Sequence, residues 1–210
     1  RVKPVVIIKS GRSERGAMAA ASHTGSLAGS DAVFDDIIKQ AGALRAESIK
    51  DAFDFSKILA NSPLPRGENT VIITNGGGAG VMATDACEKY DVRLYDDLEN
   101  LKTIFSPYVP EFGSTKNPID VTGQAKAPDY TKAFNAALKE QDIHSVIVVI
   151  CETALFNNKE QLINTVEMNY EQFKNAGKPM VFSLLGGEIM SEYTRAARRK
   201  GLPVYDDVYE

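Results

Sequence analysis

The sequence has no tryptophan and contains only two cysteines and two histidines in 210 residues. Cys87 and Cys151 lie far apart, and neither belongs to a Cys-x-x-Cys pair. This spacing argues against a zinc site or a disulfide framework, so we expect a reducing compartment, the cytoplasm. Two histidines, His23 and His144, give little support for a histidine metal site, and we predict no metal ligands in this chain.

The sequence also lacks an excess of positive charge and any long hydrophobic run. The net charge is −4, which leaves no basic surface for nucleic acid. The longest apolar run, Val146 to Cys151, is far too short to cross a bilayer, and the first residues do not resemble a signal peptide. We therefore expect no nucleic acid and no membrane among the partners.

Apolar β-branched runs alternate with segments of helical periodicity along most of the chain. This alternation predicts an α/β fold, a flavodoxin-like parallel sheet with helices on both faces. The Pro-rich stretch 63–68 is predicted to be a linker between residues 1–62 and residues 69–210. Finer expectations are a buried strand at 4–9, a short helix at 16–21, a helix from Val81, a strand at 92–95 and a loop at 116–123.

One histidine lies in a stretch of small polar residues. His23 is flanked by Ser22 and Thr24, with Gly25 and Ser26 following. Small residues allow a backbone to approach a ligand closely, so the imidazole is a candidate nucleophile or acid–base group. A solvent-exposed side chain or a helix cap is an equally reasonable interpretation of these residues.

A second candidate is the run Asn75-Gly76-Gly77-Gly78-Ala79-Gly80, between a predicted strand and a predicted helix. Parallel α/β sheets bind phosphate at this position, on free N–H groups at a helix N-terminus. A tight turn that needs glycine only for its backbone shape is the alternative. The loop that contains Asn117 and Asp120 either lines the same crevice or is an ordinary Asn-Pro turn.

Three separated motifs resemble one family. The first comprises Lys9 to Ser13 and Ser22 to Asp31, the second is Thr74 to Ala86, and the third is Asn117-Pro118-Ile119-Asp120. The NDP-forming acyl-CoA synthetases have motifs of similar type in the same order. This is the succinyl-CoA synthetase superfamily, and the α part of the ADP-forming acetyl-CoA synthetases is the nearest type. The resemblance implies that residues 1–62 are the C-terminal part of a phosphohistidine domain and that residues 69–210 are a CoA-ligase domain.

The resemblance also implies a two-step reaction. Acyl-CoA and phosphate give an acyl phosphate and CoA, and a histidine then carries the phosphoryl group to ADP to make ATP. By motif position this histidine is His23, and Gly76 to Gly80 would receive the phosphoryl group, with the amides of Gly77 to Gly80 as ligands. The full enzyme would use Mg²⁺ with ADP or ATP, CoA and phosphate, and none of these is expected to be held by this chain alone.

The family resemblance further implies that this chain is a fragment. The upstream CoA-binding domain and the ATP-grasp domain or subunit would be its partners, and the small-molecule substrate would be an acyl-CoA or acid. We expect no turnover from the isolated chain. Two other functions remain open, a non-catalytic acyl-CoA-synthetase-like module of a protein acetyltransferase and a flavodoxin-like module that binds a nucleotide or flavin.

Overall fold

A computed structural model describes residues 3–24, 29–153 and 159–210. The chain forms two compact units, Arg1–Ala60 and Asn61–Glu210. The predicted α/β class with parallel strands is confirmed in both units. None of the described helices is both long enough and apolar enough to pass through a membrane.

The described residues of the first unit form two strands and three helices. Its elements are β1 (Val6–Ile8), α1 (Glu14–Thr24), α2 (Asp31–Gln40), β2 (Leu44–Ala46) and α3 (Ile49–Asn61). Strands β1 and β2 pair in parallel, with Val6 opposite Leu44. Gly42 has φ +63° just after α2, a conformation that glycine adopts readily at a helix end.

The first unit has little buried apolar surface within its described residues. Among its described residues only Ile38 and Ala46 are buried, although the sequence predicts a buried strand at 4–9. The strand is present as β1, but its predicted burial is wrong, because Val5 is 45% exposed and Ile8 49% exposed. Two short strands offer too small a surface for the helices to cover both faces.

Outside residues 154–158, the second unit forms a five-stranded sheet and five helices. Its elements are β3 (Thr70–Thr74), α4 (Gly77–Lys89), α5 (Leu98–Phe105), β4 (Ile119–Asp120), α6 (Ala127–Lys139), β5 (Ser145–Cys151), α7 (Lys159–Asn175), β6 (Met180–Leu185), α8 (Glu188–Arg199) and β7 (Val204–Tyr205). The strands are parallel in the order β4-β3-β5-β6-β7. The chain therefore reverses direction across the sheet between β3 and β5, where α/β proteins bind ligands.

Side chains alternate between the two faces of this sheet. Val71 and Ile73 pack into the larger apolar cluster with residues of α5, α6, α7 and α8, while Ile72 packs against Ala83 and Cys87 of α4. Every residue of β3 is buried. Burial on both faces explains the unbroken apolar run of this strand.

Two sequence predictions beside β3 are wrong. The predicted strand at 92–95 is reduced to a single bridge between Thr70 and Leu94. The predicted loop at 116–123 contains strand β4, whose Ile119 pairs with Ile73. Both segments lie beside the Asn117 side chain, which bonds to the backbone of β3.

The Asn117 carboxamide takes the place of a neighbouring strand. Its Oδ1 accepts a hydrogen bond from the Ile72 N–H at 2.9 Å, and its Nδ2 donates to the Thr70 carbonyl at 2.8 Å and the Tyr95 carbonyl at 3.1 Å. The Ile72 N–H of this buried strand thereby has a partner, while the Thr70 carbonyl also accepts a hydrogen bond from the Tyr95 N–H at 2.9 Å. The side chain thus links β3 to Tyr95 directly before β4 begins.

We predict that Asn117→Ala destabilises the protein by about 1–3 kcal/mol, because it leaves the Ile72 N–H of buried β3 without its partner. The free energy of unfolding from denaturant titration measures this change. Asn164→Ala is the matched control, since Asn164 is exposed on α7. The control should shift the free energy by no more than about 0.5 kcal/mol, and an equal effect of the two substitutions would contradict the role of Asn117.

Candidate functional site

The carboxyl ends of β3 and β5 are joined by one buried side chain. Asn75 is only 4% exposed, its Nδ2 donates to the Cys151 carbonyl at 2.9 Å, and its Oδ1 accepts from the Cys151 N–H at 2.7 Å. This reciprocal pair continues the β3–β5 ladder beyond the last backbone pairing. Asn75 therefore shapes the edge of the sheet at the point where the strand order reverses.

The glycine-rich run forms the first turn of α4 and is not a separate loop. Gly76 is the N-cap and the helix begins at Gly77, not at Val81 as the sequence predicts. Within the described chain, no hydrogen bond uses the N–H groups of Gly77, Gly78 and Ala79. These groups are the free donors of a helix N-terminus.

The N–H groups at the two ends of this run, those of Gly76 and Gly80, already donate hydrogen bonds within the protein. The Gly76 N–H donates to Thr74 Oγ1 at 3.0 Å, and the Gly80 N–H donates to the Gly76 carbonyl at 2.9 Å. The phosphate-binding role of the amides of Gly77 to Gly80 stays a prediction, and among them the structure gives a partner to Gly80. Its amide already forms the first intrahelical hydrogen bond of α4.

Close packing explains two of the glycines but not a third. A Cβ atom on Gly76 would lie 2.6 Å from Cys151 Sγ, and one on Gly80 would lie 3.0 Å from Thr74 Cγ2. A Cβ atom on Gly78 would meet nothing within 4 Å. The tight-turn alternative accounts for Gly76 and Gly80, whereas Gly78 keeps a helix terminus open to solvent.

A carboxylate lies beside this helix terminus. Asp120 ends β4, its Oδ1 accepts from the Thr122 N–H at 2.8 Å, and its Oδ2 lies 3.2 Å from the position of a Gly77 Cβ. Burial and, to a smaller extent, the Asp120 charge raise the pKa of the Cys151 thiol. Cys151 is therefore a neutral thiol at neutral pH and not an activated nucleophile.

The structure separates the two predicted residues of the Asn117–Asp120 loop. Asp120 lies at the carboxyl edge beside Gly77, whereas the Asn117 side chain bonds to the backbone of Thr70 and Ile72 within β3. Asn117 supports the strand, and it does not reach the free N–H groups of α4.

The neighbouring helix terminus at the same edge already has an acidic partner. Glu152 follows β5, and its Oε2 accepts from the Gly187 N–H at 2.7 Å, where Gly187 is the N-cap of α8. A carboxylate is a favourable partner at this end of a helix. Of these two glycine turns, the one at α4 keeps its donors free.

His23 lies on a helix, although the sequence predicts a loop. Helix α1 runs through Ser22 to Thr24, and the His23 side chain is exposed in its last turn. The alanine-rich stretch before it favours continuation of the helix, and Ser22 Oγ donates to the Ala19 carbonyl at 2.7 Å. Two further predicted residues, Gly25 and Ser26, lie outside the described residues.

A cluster of charged side chains surrounds the start of α2. Arg45 Nη2 donates to both carboxylate oxygens of Asp31, at 2.7 and 2.8 Å, and Arg45 Nη1 donates to Asp35 at 3.3 Å. Arg12 Nε donates to Asp31 at 3.4 Å. Hydrogen bonds from Arg45 lower the pKa of Asp31, and the Arg45 and Arg12 charges act in the same direction.

A cavity of about 380 Å³ opens at the opposite, amino end of the strands. Its lining includes His144 and Lys178. The Lys178 ammonium group donates to the carbonyls of Ala137 and Glu140, and burial lowers its pKa. His144 Nδ1 accepts from the Asn69 N–H at 3.1 Å. These contacts stabilise the entry to β5, and the cavity lies away from the glycine turn.

Comparison with known proteins identifies the family. Residues 1–59 match the family described as a succinyl-CoA ligase like flavodoxin domain, and residues 70–207 match the family described as a ligase-CoA domain. The chain belongs to the CoA ligase family. The family resemblance inferred from the three motifs is thereby confirmed.

Individual members of the CoA ligase family match nearly the whole chain. The α subunit of acetate–CoA ligase [ADP-forming] I from Pyrococcus furiosus is 48% identical over 98% of this chain and 44% of the relative. The 4-hydroxybutyrate–CoA ligase [ADP-forming] of Nitrosopumilus maritimus is 35% identical over 88% of this chain and 26% of the relative. The chain thus spans less than half the length of these relatives.

A solved structure of the family has the same fold. The acetyl-coenzyme A synthetase 1 of Ca. Korarchaeum cryptofilum, in complex with phosphate and ADP, superimposes with a TM-score of 0.87 and 38% identity. The match covers 99% of this chain and 44% of that chain. The α/β assignment therefore agrees with a structure determined for a related CoA ligase.

The described residues contain no group of three or more His, Cys, Asp and Glu side chains placed to hold a metal ion. Asp120 and Glu152 lie at the same sheet edge, but each is engaged by a backbone N–H. The polar groups offered at this edge are chiefly N–H donors, which suit an anion.

Two substitutions in the glycine turn should have opposite effects on stability. Gly76→Ala is expected to destabilise the protein by about 1–3 kcal/mol, because its Cβ would overlap Cys151 Sγ. Gly78→Ala should be neutral or stabilising by up to about 1 kcal/mol, since alanine favours the helix. Denaturant titration measures both, and adding Cys151→Ala should restore most of the loss in Gly76→Ala. No recovery in the double variant would contradict the proposed contact.

The lowered pKa of Asp31 predicts a pH-dependent contribution to stability. A carboxyl group whose pKa is lower in the folded state stabilises the protein above its unfolded pKa of about 3.9, and this contribution disappears as the pH falls through the folded value. The difference in unfolding free energy between wild type and Asp31→Asn should therefore be largest at pH 7 and decline below about pH 4. Asp36→Asn, exposed on the same helix, serves as the control; an Asp31→Asn difference that is constant with pH would refute this linkage.

Proposed function

We propose that this chain is part of an acid–CoA ligase (ADP-forming), in which His23 carries the phosphoryl group between an acyl phosphate and ADP. The observation that carries the proposal is the open first turn of α4, with three free N–H groups where the strand order reverses. It occurs in a chain 48% identical to the α subunit of an acetate–CoA ligase.

The proposed chemistry is a relay of one phosphoryl group. Phosphate displaces CoA from the acyl-CoA, giving an acyl phosphate and free CoA. A ring nitrogen of His23 then attacks phosphorus, a P–N bond forms, and the P–O bond to the carboxylate breaks. ADP takes the phosphoryl group in the last step, giving ATP and free imidazole. Imidazole is suited to this role because it is nucleophilic at neutral pH.

The two helix ends would affect the phosphoryl group in opposite ways. His23 lies in the last turn of α1, where the helix dipole favours positive charge and disfavours a phosphoryl dianion. The free N–H groups of Gly77, Gly78 and Ala79 lie at a helix start, where the dipole favours an anion. In this proposal the phosphoryl group gains stabilisation at α4 that α1 cannot provide.

The proposal requires further parts of the enzyme. We assign CoA binding to an upstream domain, and Mg²⁺ with ADP or ATP to an ATP-grasp domain or subunit. Exposed apolar side chains in the first unit, including Val33, Ile37 and Phe53, support its completion by additional chain. We expect the isolated chain to have no turnover. The free cysteines Cys87 and Cys151 support a cytoplasmic location.

The substrate class is a carboxylic acid and its CoA thioester. The relatives are named for acetate and 4-hydroxybutyrate, and both are short acids with a single carboxylate. We propose Ser22 and Thr24 as supporting residues next to His23 in sequence, and Asn75 and Asp120 as supporting residues of the glycine turn. Gly25 and Ser26 remain in the proposal by sequence position alone.

We predict that the full-length protein, incubated with its nucleotide-binding partner, Mg²⁺ and γ-³²P-ATP, acquires acid-labile and base-stable label. Such stability is expected of a phosphohistidine. His23→Asn should abolish the label, because the attacking nitrogen is missing, while circular dichroism should report an unchanged fold. Scintillation counting after gel separation measures the incorporation.

His144→Asn is the matched control for the labelling experiment. His144 accepts a hydrogen bond from the Asn69 N–H and has no part in the proposed relay, so the folded variant should still be labelled. Equal labelling of wild type and His23→Asn would refute the assignment of His23. If His144→Asn loses the label and His23→Asn keeps it, His144 and not His23 is the phosphorylated residue.

A further inference from the structure

The helix that carries His23 is flanked by two residues that bond to each other. Arg12 lies just before α1, and Asp31 is the first residue of α2. Arg12 Nε donates to Asp31 Oδ2 at 3.4 Å, and Arg12 Nη1 also pairs with Glu47. The chain therefore enters and leaves the His23 segment at one charged cluster.

Arg45 anchors this cluster to the sheet. Its side chain is only 9% exposed, it belongs to β2, and its Nη2 donates to both oxygens of Asp31 at 2.7 and 2.8 Å. Its guanidinium also lies 5.6 Å from the centre of the Phe34 ring. The planar guanidinium of Arg45 bonds to Asp31 and also lies over the Phe34 ring, so its orientation is defined.

Every cation of the cluster pairs with a carboxylate. The cations are Lys9, Arg12, Lys39 and Arg45, and the carboxylates are those of Asp31, Asp35 and Glu47. Each cation therefore already has an acidic partner, which argues against a separate anion site here. The arrangement instead fixes elements that come from different parts of the first unit, namely β1, β2, the start of α1 and the start of α2.

We propose that Asp31, Arg45 and Arg12 form a clamp that positions the His23 segment for phosphoryl transfer. This inference rests on the proposed role of His23. The three are positioning residues, because they act through the placement of α1 and do not touch the reacting atoms. Misplacement of a reacting group by about 1 Å can slow a reaction by up to about a hundredfold, so a loosened clamp lowers the transfer rate more than it weakens nucleotide binding.

The clamp is tested in the full-length protein with its nucleotide-binding partner by rapid-quench measurement of His23 phosphorylation from γ-³²P-ATP. Asp31→Asn keeps the shape of the side chain and removes its charge. We expect a rate at saturating ATP that is lower by about tenfold or more, with a KM for ATP within about twofold of wild type. Asp31→Glu, which retains the charge, should recover part of the rate.

Arg12→Gln provides a second variant in case Asp31→Asn does not fold. The Arg12 side chain is 43% exposed, so its replacement removes the link across the segment with little effect on packing. It should also slow phosphorylation. Asp54→Asn, which removes the carboxylate of the surface pair between Lys50 and Asp54 on α3, is the control and should change neither the rate nor the KM.

The outcomes separate the two proposals. If wild type is labelled at His23 and folded Asp31→Asn and Arg12→Gln react at the wild-type rate, the clamp is wrong and the proposed function stands. If these variants raise the KM for ATP and leave the rate at saturating ATP unchanged, the proposed positioning role of Asp31 and Arg12 is also wrong. Equal labelling of His23→Asn and wild type would instead refute the proposed function and, with it, the clamp.

Discussion

The geometry of the candidate site depends on the hydrogen bonds between the Asn75 side chain and the Cys151 backbone. These bonds hold the carboxyl ends of β3 and β5 together where the strand order reverses. They also bring Cys151 Sγ against Gly76, so that no side chain fits at the N-cap of α4. The free donors of Gly77, Gly78 and Ala79 follow directly after this contact.

The two units are stabilised by different interactions. In the second, the sheet is covered by helices on both faces, and β3 is buried along its whole length. In the first, only Ile38 and Ala46 are buried among the described residues, and a charged cluster around Asp31 joins the elements. The hydrogen bonds of this cluster have defined directions. Under the proposed function this suits the His23 segment, whose orientation matters more than its burial.

Several features were predictable from particular residues. The apolar runs predict β3, β5 and β6, and Gly42 marks the end of α2. The succession of the His23, Gly76–Gly80 and Asn117–Asp120 motifs predicts the family, which the comparisons confirm. These features depend on local patterns, which a sequence displays directly.

Other features were missed for physical reasons. A two-residue strand such as β4 has no periodicity, and it forms because Ile119 is buried next to Ile73. Helix α1 extends through His23 because the preceding alanines favour helix, although the polar residues around the histidine suggest a loop. Asn117, Arg45 and Glu152 act through partners that are distant in sequence, and no local signal identifies those partners.

The sequence by itself determined the α/β class, the strand-to-helix position of the glycine run and the candidate histidine, because periodicity and residue type are local properties. Only the tertiary structure decided which donors are free. The Gly80 amide is used within α4, Glu152 occupies the start of α8, and Gly78 remains open. A hydrogen bond requires two groups to meet in space, and the fold decides which groups meet.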